Sequence, residues 1–213
     1  MNLSVLKTTA KWKDFWVNRK IDWEKDYTST WEHPHRYVIS ALLTQFPWVS
    51  LYEIGCGSGP NLINIVKNHP NKQLGGMDVS PTAIAAAAKS LQGAHLKVGS
   101  VEDIMMSDYS TDIVLSDMCL IYVDPRKIDQ AIGEMVRICR KRLVLCEFHS
   151  TSWWERLKLK FTSGYNAYDY VKLLEKHGCY DIVKYKITPQ MWPGGEPQKT
   201  FGYLITAKVS KRK

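Results

Sequence analysis

The sequence contains no run of about 18 consecutive apolar residues, the length a helix needs to cross a bilayer, so no spanning segment and no membrane partner is expected. It has no C-x-x-C pair and no cluster of cysteine and histidine at metal-ligand spacing. The five cysteines (Cys56, Cys119, Cys139, Cys146, Cys179) are odd in number and widely spaced, which argues against a disulfide framework. No spacing of His, Cys or carboxylates suits zinc or magnesium, so no metal is expected. Four of the cysteines sit in apolar or strand-like runs and read as reduced core thiols of a cytoplasmic protein. Residues 1–20 lack the apolar stretch of a secretory signal and carry Lys7, Lys11, Lys13 and Asp14 instead. There is no internal repeat, no low-complexity tract and no concentrated basic arm.

What is present suffices for one domain with a full core, since 213 residues are too few for two of ordinary size. The formal charge of +8 permits an acidic partner such as RNA. Part of that excess lies in Lys208, Lys211, Arg212 and Lys213, and the rest is dispersed, so nucleic acid is possible but not favoured. The oligomeric state leaves no mark on the sequence.

The chain is organised around Leu51-Tyr52-Glu53-Ile54-Gly55-Cys56-Gly57-Ser58-Gly59-Pro60-Asn61. Trp48 to Ile54 reads as a short buried strand, bounded by Pro47 and by glycines. Three glycines at alternate positions make a turn, and Leu62, Ile65, Val66 and His69 then have helical spacing. Strand, tight turn and helix bring backbone amides close to a ligand, because glycine accepts positive φ and has no Cβ to hold the ligand off. A dinucleotide fingerprint needs a third glycine where Pro60 stands, and a P-loop needs a Gly-Lys-Ser/Thr ending that is absent. Glu53, two residues before the first glycine, would repel a pyrophosphate yet suits a ligand carrying a cation.

Beyond this turn, Gln73 to Val79 is a second strand. Asp78 at its carboxyl end is placed to accept hydrogen bonds from ribose hydroxyls. Ser80-Pro81 opens a helix over Thr82 to Leu91, serine as N-cap and proline in the first turn. His95 to Gly99 is a third strand, followed by Ser100-Val101-Glu102-Asp103, and Asp112 to Ser116 a fourth, running into Asp117-Met118 and Tyr122. Asp124-Pro125 reads as another cap and first turn, of a helix with Ile128, Ala131, Ile132, Met135, Ile138 and Cys139 on one face. Arg142 to Phe148 is a fifth strand ending at His149, and Trp153 to Phe161 a loop or short helix. Ala167 to His177 is a helix, and two alternating strands flank a long turn over Thr188 to Lys199.

Glu-x-Gly-x-Gly-x-Gly, the acid after strand two and Asp-Ile-Val-Leu-Ser-Asp-x-x-Leu-Ile-Tyr-Val together resemble the class I S-adenosylmethionine-dependent methyltransferases over residues 48 to 209. The resemblance implies an α/β, Rossmann-like fold. Its mostly parallel seven-stranded sheet has an antiparallel last strand and helices on both faces. It places a methyltransferase domain over 47–209, followed by a basic tail (210–213), and leaves 1–46 unfixed; the helical faces and aromatics of that segment make it an expected N-terminal helical lid of the same domain. It implies S-adenosylmethionine as cofactor, with the turn Gly55, Cys56, Gly57 and Gly59 against its methionine and ribose. Glu53 would sit near the amino group, and Asp78-Val79 at the ribose. Ser100, Val101 and Glu102 would lie at the adenine, with Asp103 competing for the exocyclic amine. Ser100 stands where the family commonly has an acid. Asp117 and Met118 would lie where the methyl meets its acceptor.

The segment before the first strand has Trp12, Phe15, Trp16 and Arg19 on one helical face and Val38, Ala41, Leu42, Gln45 and Phe46 on another. Asp22 to Arg36 is crowded with aromatics and titratable groups. His33-Pro34-His35-Arg36 reads either as a helix start or as the source of a cation, Arg36 or His35, for the cofactor carboxylate. Methyl transfer needs chiefly an aligned acceptor, and a base only for some acceptors. His149 is the candidate base, with a loop-bonded histidine as the plain alternative. Tyr122, Tyr27 and Trp31 are candidates to line an acceptor pocket. A small-molecule acceptor in that pocket is the expectation; an RNA or protein methyltransferase, a non-catalytic cofactor-binding protein and a nicotinamide oxidoreductase are alternatives.

Overall fold

A computed structural model describes residues 9–210, so Lys7 and the Lys211–Lys213 end of the basic tail lie outside the described residues. The segment before the sheet contains α1 (Thr9–Asn18), a single turn α2 (Trp23–Asp26), a 3-10 turn (Thr28–Glu32) and α3 (Pro34–Leu43). Asp22 caps α2 by accepting from the Lys25 amide at 3.1 Å, and Pro34 stands in the first turn of α3, where its missing N–H is not needed. The buried side of α3 is His35, Ile39, Leu42 and Leu43. Ala41 and Gln45, expected on one helical face with Leu42, are exposed while Leu42 is buried, and Gln45 lies beyond the end of α3.

The sheet follows: β1 (Ser50–Ile54), α4 (Pro60–Asn68), β2 (Gln73–Asp78), α5 (Pro81–Ser90), β3 (His95–Val98) and β4 (Thr111–Asp117). Then come α6 (Ile128–Ile138), β5 (Cys139–Phe148), α7 (Trp153–Ser163), α8 (Tyr170–Lys176), β6 (Cys179–Lys186), α9 (Glu196–Phe201) and β7 (Gly202–Val209). Strand order is β3-β2-β1-β4-β5-β7-β6, with only β7 antiparallel to its neighbours. This is the seven-stranded α/β architecture the sequence implies.

The central strands read as unbroken apolar runs because both of their faces are covered. Tyr52, Ile54 and Val114 pack with Ile132, Met135 and Leu174 of α6 and α8 on one side. Leu51, Ile113 and Leu115 pack with Ile39, Leu62 and Ala87 of α3, α4 and α5 on the other. Strand alternation thus divides one chain into two cores, and the strands carry their carboxyl ends to a common edge.

Three element limits differ from expectation. Asp124-Pro125 opens a turn rather than a helix: Asp124 Oδ1 accepts from the Arg126 amide at 2.8 Å, and α6 begins at Ile128. Residues 167–169 are extended, since Tyr168 bridges to His149, and Asp169 then caps α8 by accepting from Lys172. The long turn before β7 contains the short helix α9, with Pro197 in its first turn.

Candidate active site

At the carboxyl edge of the sheet lies a cavity of about 800 Å³. Its floor comes from the ends of β1, β2 and β4 and its roof from α1, α2 and the segments after β4 and α7. The three glycines of the turn all have positive φ, but space constrains them differently. A Cβ on Gly55 would meet Cys119 Sγ at 2.2 Å, and one on Gly59 would meet Leu91 Cδ1 at 2.4 Å, so both are fixed by packing. A Cβ on Gly57 would meet only Trp23 Cζ3, at 3.9 Å, and Gly57 faces the cavity. Gly59, at the start of α4, is not among the lining residues.

Gly57 donates its amide to Asp78 Oδ2 at 2.9 Å, and Ser80 donates to Oδ1 at 2.9 Å. Burial raises the Asp78 pKa, with those amides opposing the rise. Gly55, Cys56, Val79, Ser100, Val101 and Glu102 also line the cavity. Asp103, the competitor of Glu102, is exposed and outside it.

A buried polar network joins the N-terminal segment to the strand ends. Asn61 donates to Glu53 Oε1 at 2.6 Å and to Asp117 Oδ2 at 2.9 Å. Arg36 Nη1 donates to Asn61 Oδ1 at 2.7 Å and to Asp117 Oδ2 at 3.2 Å, and His35 Nε2 pairs with Asp117 at 2.8 Å. Burial would raise the Asp117 pKa, but His35, Arg36 and Asn61 outweigh it and hold the carboxyl well below the usual range. His35 Nδ1 meets His33 Nδ1. Burial, then the charges of His35 and Arg36, pull the His33 pKa down to about 4, which leaves that ring neutral and able to accept. Glu53 lacks a comparable counter-charge, and burial pushes its pKa up to about 8. Glu53 Oε2 and Asp117 Oδ1 are buried without a hydrogen-bond partner, and both residues line the cavity. Two orphaned carboxylate oxygens at one floor suit a cationic ligand group, because a buried acceptor left unpaired costs about 1–3 kcal/mol.

The turn after β4 is held from the neighbouring strand. Glu147 Oε1 accepts from Ser116 Oγ at 2.7 Å and from the amides of Cys119 and Leu120, each at 3.0 Å. That grip keeps Met118, with its φ of 49°, in the left-handed region at the cavity floor. Burial raises the Glu147 pKa to about 8, the amides and Ser116 opposing.

Aromatics form the roof. The Trp12 and Trp16 rings lie 5.0 and 5.3 Å from Tyr122, and Tyr165 lies 5.6 Å from it. Trp16 also meets Trp23 and Tyr27, at 6.3 and 6.2 Å. Burial, then Tyr165 and Tyr27, raise the Tyr122 pKa, so Tyr122 is a neutral phenol at physiological pH.

Besides Gly59 and Asp103, two residues expected at the acceptor are elsewhere. His149 does not line the cavity. Its Nδ1 contacts the Tyr168 carbonyl at 3.1 Å and accepts from the Tyr170 amide at 3.3 Å, and its Nε2 faces Lys184 at 3.4 Å. Burial and Lys184 lower its pKa. It is the loop-bonded histidine of the plain alternative, because β5 directs it under the β7 side rather than toward the β4 end. Trp31 is likewise off the cavity, its ring beneath Lys67 Nζ at 3.6 Å. Conversely, Trp12, Asn61, Tyr165 and Trp192 line the cavity without having been singled out for it. The Asn61 position next to the glycine turn is a signal, whereas Tyr165 and Trp192 arrive from distant loops and left none. Among the described residues no group of three or more His, Cys, Asp and Glu could hold a metal ion, and no helix is long and apolar enough to cross a membrane.

Residues 51–142 match the family described as methyltransferase domain. The comparison with curated proteins finds no significant match. Among solved structures, one similar chain belongs to the Haloferax volcanii complex that contains the Trm112 methyltransferase activator (TM-score 0.67, 18% identity, covering 94% of this chain and 98% of that one). Another is magnesium protoporphyrin IX methyltransferase from Synechocystis PCC 6803 with bound S-adenosylhomocysteine (TM-score 0.65, 15% identity, 93% and 92% covered). A third is the plantazolicin methyltransferase BpumL, in complex with a desmethyl plantazolicin analogue and S-adenosylhomocysteine (TM-score 0.58, 15% identity, 89% and 87% covered). These likenesses show the fold, and the matched span holds Glu53, the glycine turn, Asp78 and Asp117. Residues 51–142 thus carry a methyltransferase domain, and the chain as a whole has the fold of the S-adenosylmethionine-dependent methyltransferases it is similar to.

Proposed function

We propose that this enzyme methylates a small-molecule acceptor enclosed between its cofactor floor and an aromatic roof. One observation carries the reading. A single cavity of about 800 Å³ joins orphaned carboxylates and a glycine turn to a cluster of four aromatic rings, Trp12, Trp16, Tyr122 and Tyr165. That volume lies in the range of drug-sized ligand sites. S-adenosylmethionine, when bound, supplies a methyl group on a positively charged sulfur. The residues present fit it: Glu53 Oε2 is an open acceptor for an ammonium, and Gly57 leaves room for a ligand against the chain. Asp78 is the acceptor for ribose hydroxyls, Arg36 the partner for a carboxylate, and Val101 and Glu102 the adenine contacts.

The rest of the task falls to the roof. Aromatic walls exclude water and align the acceptor, and alignment is worth about 7–11 kcal/mol in a two-reactant step. Tyr122, as a neutral phenol, orients an acceptor by donating a hydrogen bond and takes no proton. Of the expected lid over 1–46, the described part from Thr9 on covers the 47–209 domain, with Trp12 and Trp16 as its inner surface. The cations at the rim are few, and Arg126 is paired with Asp124 at 2.9 Å, which supports a small acceptor over a phosphate backbone.

Calorimetric titration with S-adenosylhomocysteine and NAD in parallel tests the cofactor half; tighter NAD binding ends it. For the acceptor half, tight tRNA or rRNA binding that falls with salt by several phosphate contacts would overturn the small-molecule reading.

A further inference from the structure

Helix α7 turns its apolar side away from the protein. Trp153, Trp154, Leu157 and Phe161 are 67%, 60%, 38% and 56% exposed, whereas Leu159 is buried beside Ile121, Phe148 and Ala167. At 3.6 residues per turn the four exposed residues occupy an arc of roughly 100°, with Leu159 on the opposite side. Arg156 borders this arc on one flank and Lys158 on the other, while Lys160, beside Arg156, is part-buried and donates to the Gly164 carbonyl at 3.2 Å. Glu155, the only acid of the helix, lies away from it and accepts from Ser150 Oγ at 2.7 Å. Ser152 accepts the Glu155 amide at the N-terminus, and Gly164, with a φ of 78°, ends the helix, so both ends are capped within the chain.

We propose that α7 is a docking helix that seats the protein on an anionic lipid bilayer. Indole, phenyl and leucine side chains flanked by cations form the pattern of a helix lying in the interface plane, aromatics at headgroup level and amines on acidic headgroups. The expectation of no membrane partner rested on spanning length, which a surface helix does not need. A protein partner fits less well, because lysine is depleted in protein interfaces. A second copy would bring the same cations together across the contact. The next residue after the Gly164 cap is Tyr165 of the cavity, so the docking face and the roof adjoin in the chain.

Co-sedimentation of the full-length protein with phosphatidylcholine vesicles, with and without phosphatidylserine, is the test. Binding to the anionic vesicles is expected, about 10-fold or more weaker on neutral ones. The variants Trp154→Ser, Phe161→Ser and Lys158→Glu, each at an exposed position, should each weaken it while S-adenosylhomocysteine titrations stay as in the wild type. Absence of binding to anionic vesicles, or binding that none of the three variants changes, overturns the proposal. A concentration-dependent dimer dispersed by the same variants would also overturn it, assigning the face to a second copy.

Discussion

Replacing Glu53 by glutamine should remove the pH dependence of cofactor binding. Burial pushes this carboxyl up to about 8, with Asp117 adding to the rise and the Asn61 hydrogen bond opposing it. Without ligand at pH 7, roughly nine molecules in ten therefore carry the proton. A ligand ammonium against the unpartnered Oε2 requires the carboxylate, so binding releases a proton. The bound state then holds fewer protons than the free state, and raising the pH favours binding. Wild-type affinity for S-adenosylhomocysteine should rise nearly 10-fold per pH unit up to about pH 8 and level off above it. Glutamine keeps an oxygen for Asn61 but cannot ionise, so Glu53→Gln should flatten the slope. At pH 8 it should weaken binding about 10–100-fold, from the ~1.5–3 kcal/mol of a charged hydrogen bond; at pH 6 the two proteins should converge. Calorimetry at pH 6, 7 and 8, in buffers of different ionisation enthalpy, counts the protons directly. A flat wild-type profile, or the same slope in Glu53→Gln, would refute the reasoning.

Other substitutions separate packing from binding. Gly55→Ala drives a methyl into Cys119 and should cost about 1–3 kcal/mol beyond the strain of its positive φ, seen as a lowered denaturation midpoint. Gly57→Ala should carry only the strain, about 1–2 kcal/mol, yet weaken ligand binding more than Gly55→Ala weakens it per unit of stability lost; the reverse order would refute the assignment. Asp78→Ala should lower S-adenosylhomocysteine affinity roughly 10–100-fold in the same titration, and an unchanged affinity would remove it from the site. Burial raises the Glu147 pKa from its ordinary 4.5 to about 8, so its contribution to stability is complete below pH 4.5 and is lost progressively as the pH rises through 8. Thermal melts from pH 5 to 8.5 should therefore show Glu147→Gln gaining on the wild type as pH rises, and parallel curves would contradict this.

The strands and the residues of the cavity floor were legible because their signals are local. Ser80-Pro81 caps a helix through one side chain and one ring, and Ser80 accepts from Ala83 at 3.3 Å as its position suggests. The same dipeptide logic misplaced the start of α6, because Asp124 folds back onto Arg126 and delays the helix. Ala167 to His177 has helical composition throughout, yet Tyr168 donates its amide to Phe148 at 3.1 Å and extends those first residues. His149 was placed by strand order alone, and which way a terminal residue turns depends on neighbours far along the chain. The aromatic roof was legible as a composition but not as a surface. Trp31 and Trp12 look alike in sequence, and only the packing of α1 on Tyr122 separates the one beneath Lys67 from the one at the cavity.

The cavity draws its two halves from different kinds of chain. The floor residues Glu53, Asp78 and Asp117 stand at or near the carboxyl ends of β1, β2 and β4, with Gly57 in the turn after β1, so the floor is fixed by the sheet between the two cores. The roof residues Trp12, Trp16, Tyr122 and Tyr165 come from a leading helix and from connections, outside the sheet ladder. Substitution bears unequally on such halves: the roof can be exchanged while the sheet that fixes the floor is left intact. A graft of a foreign leading helix, or a randomised library at these four positions, would then change which molecule is methylated without rebuilding the part that holds the methyl donor.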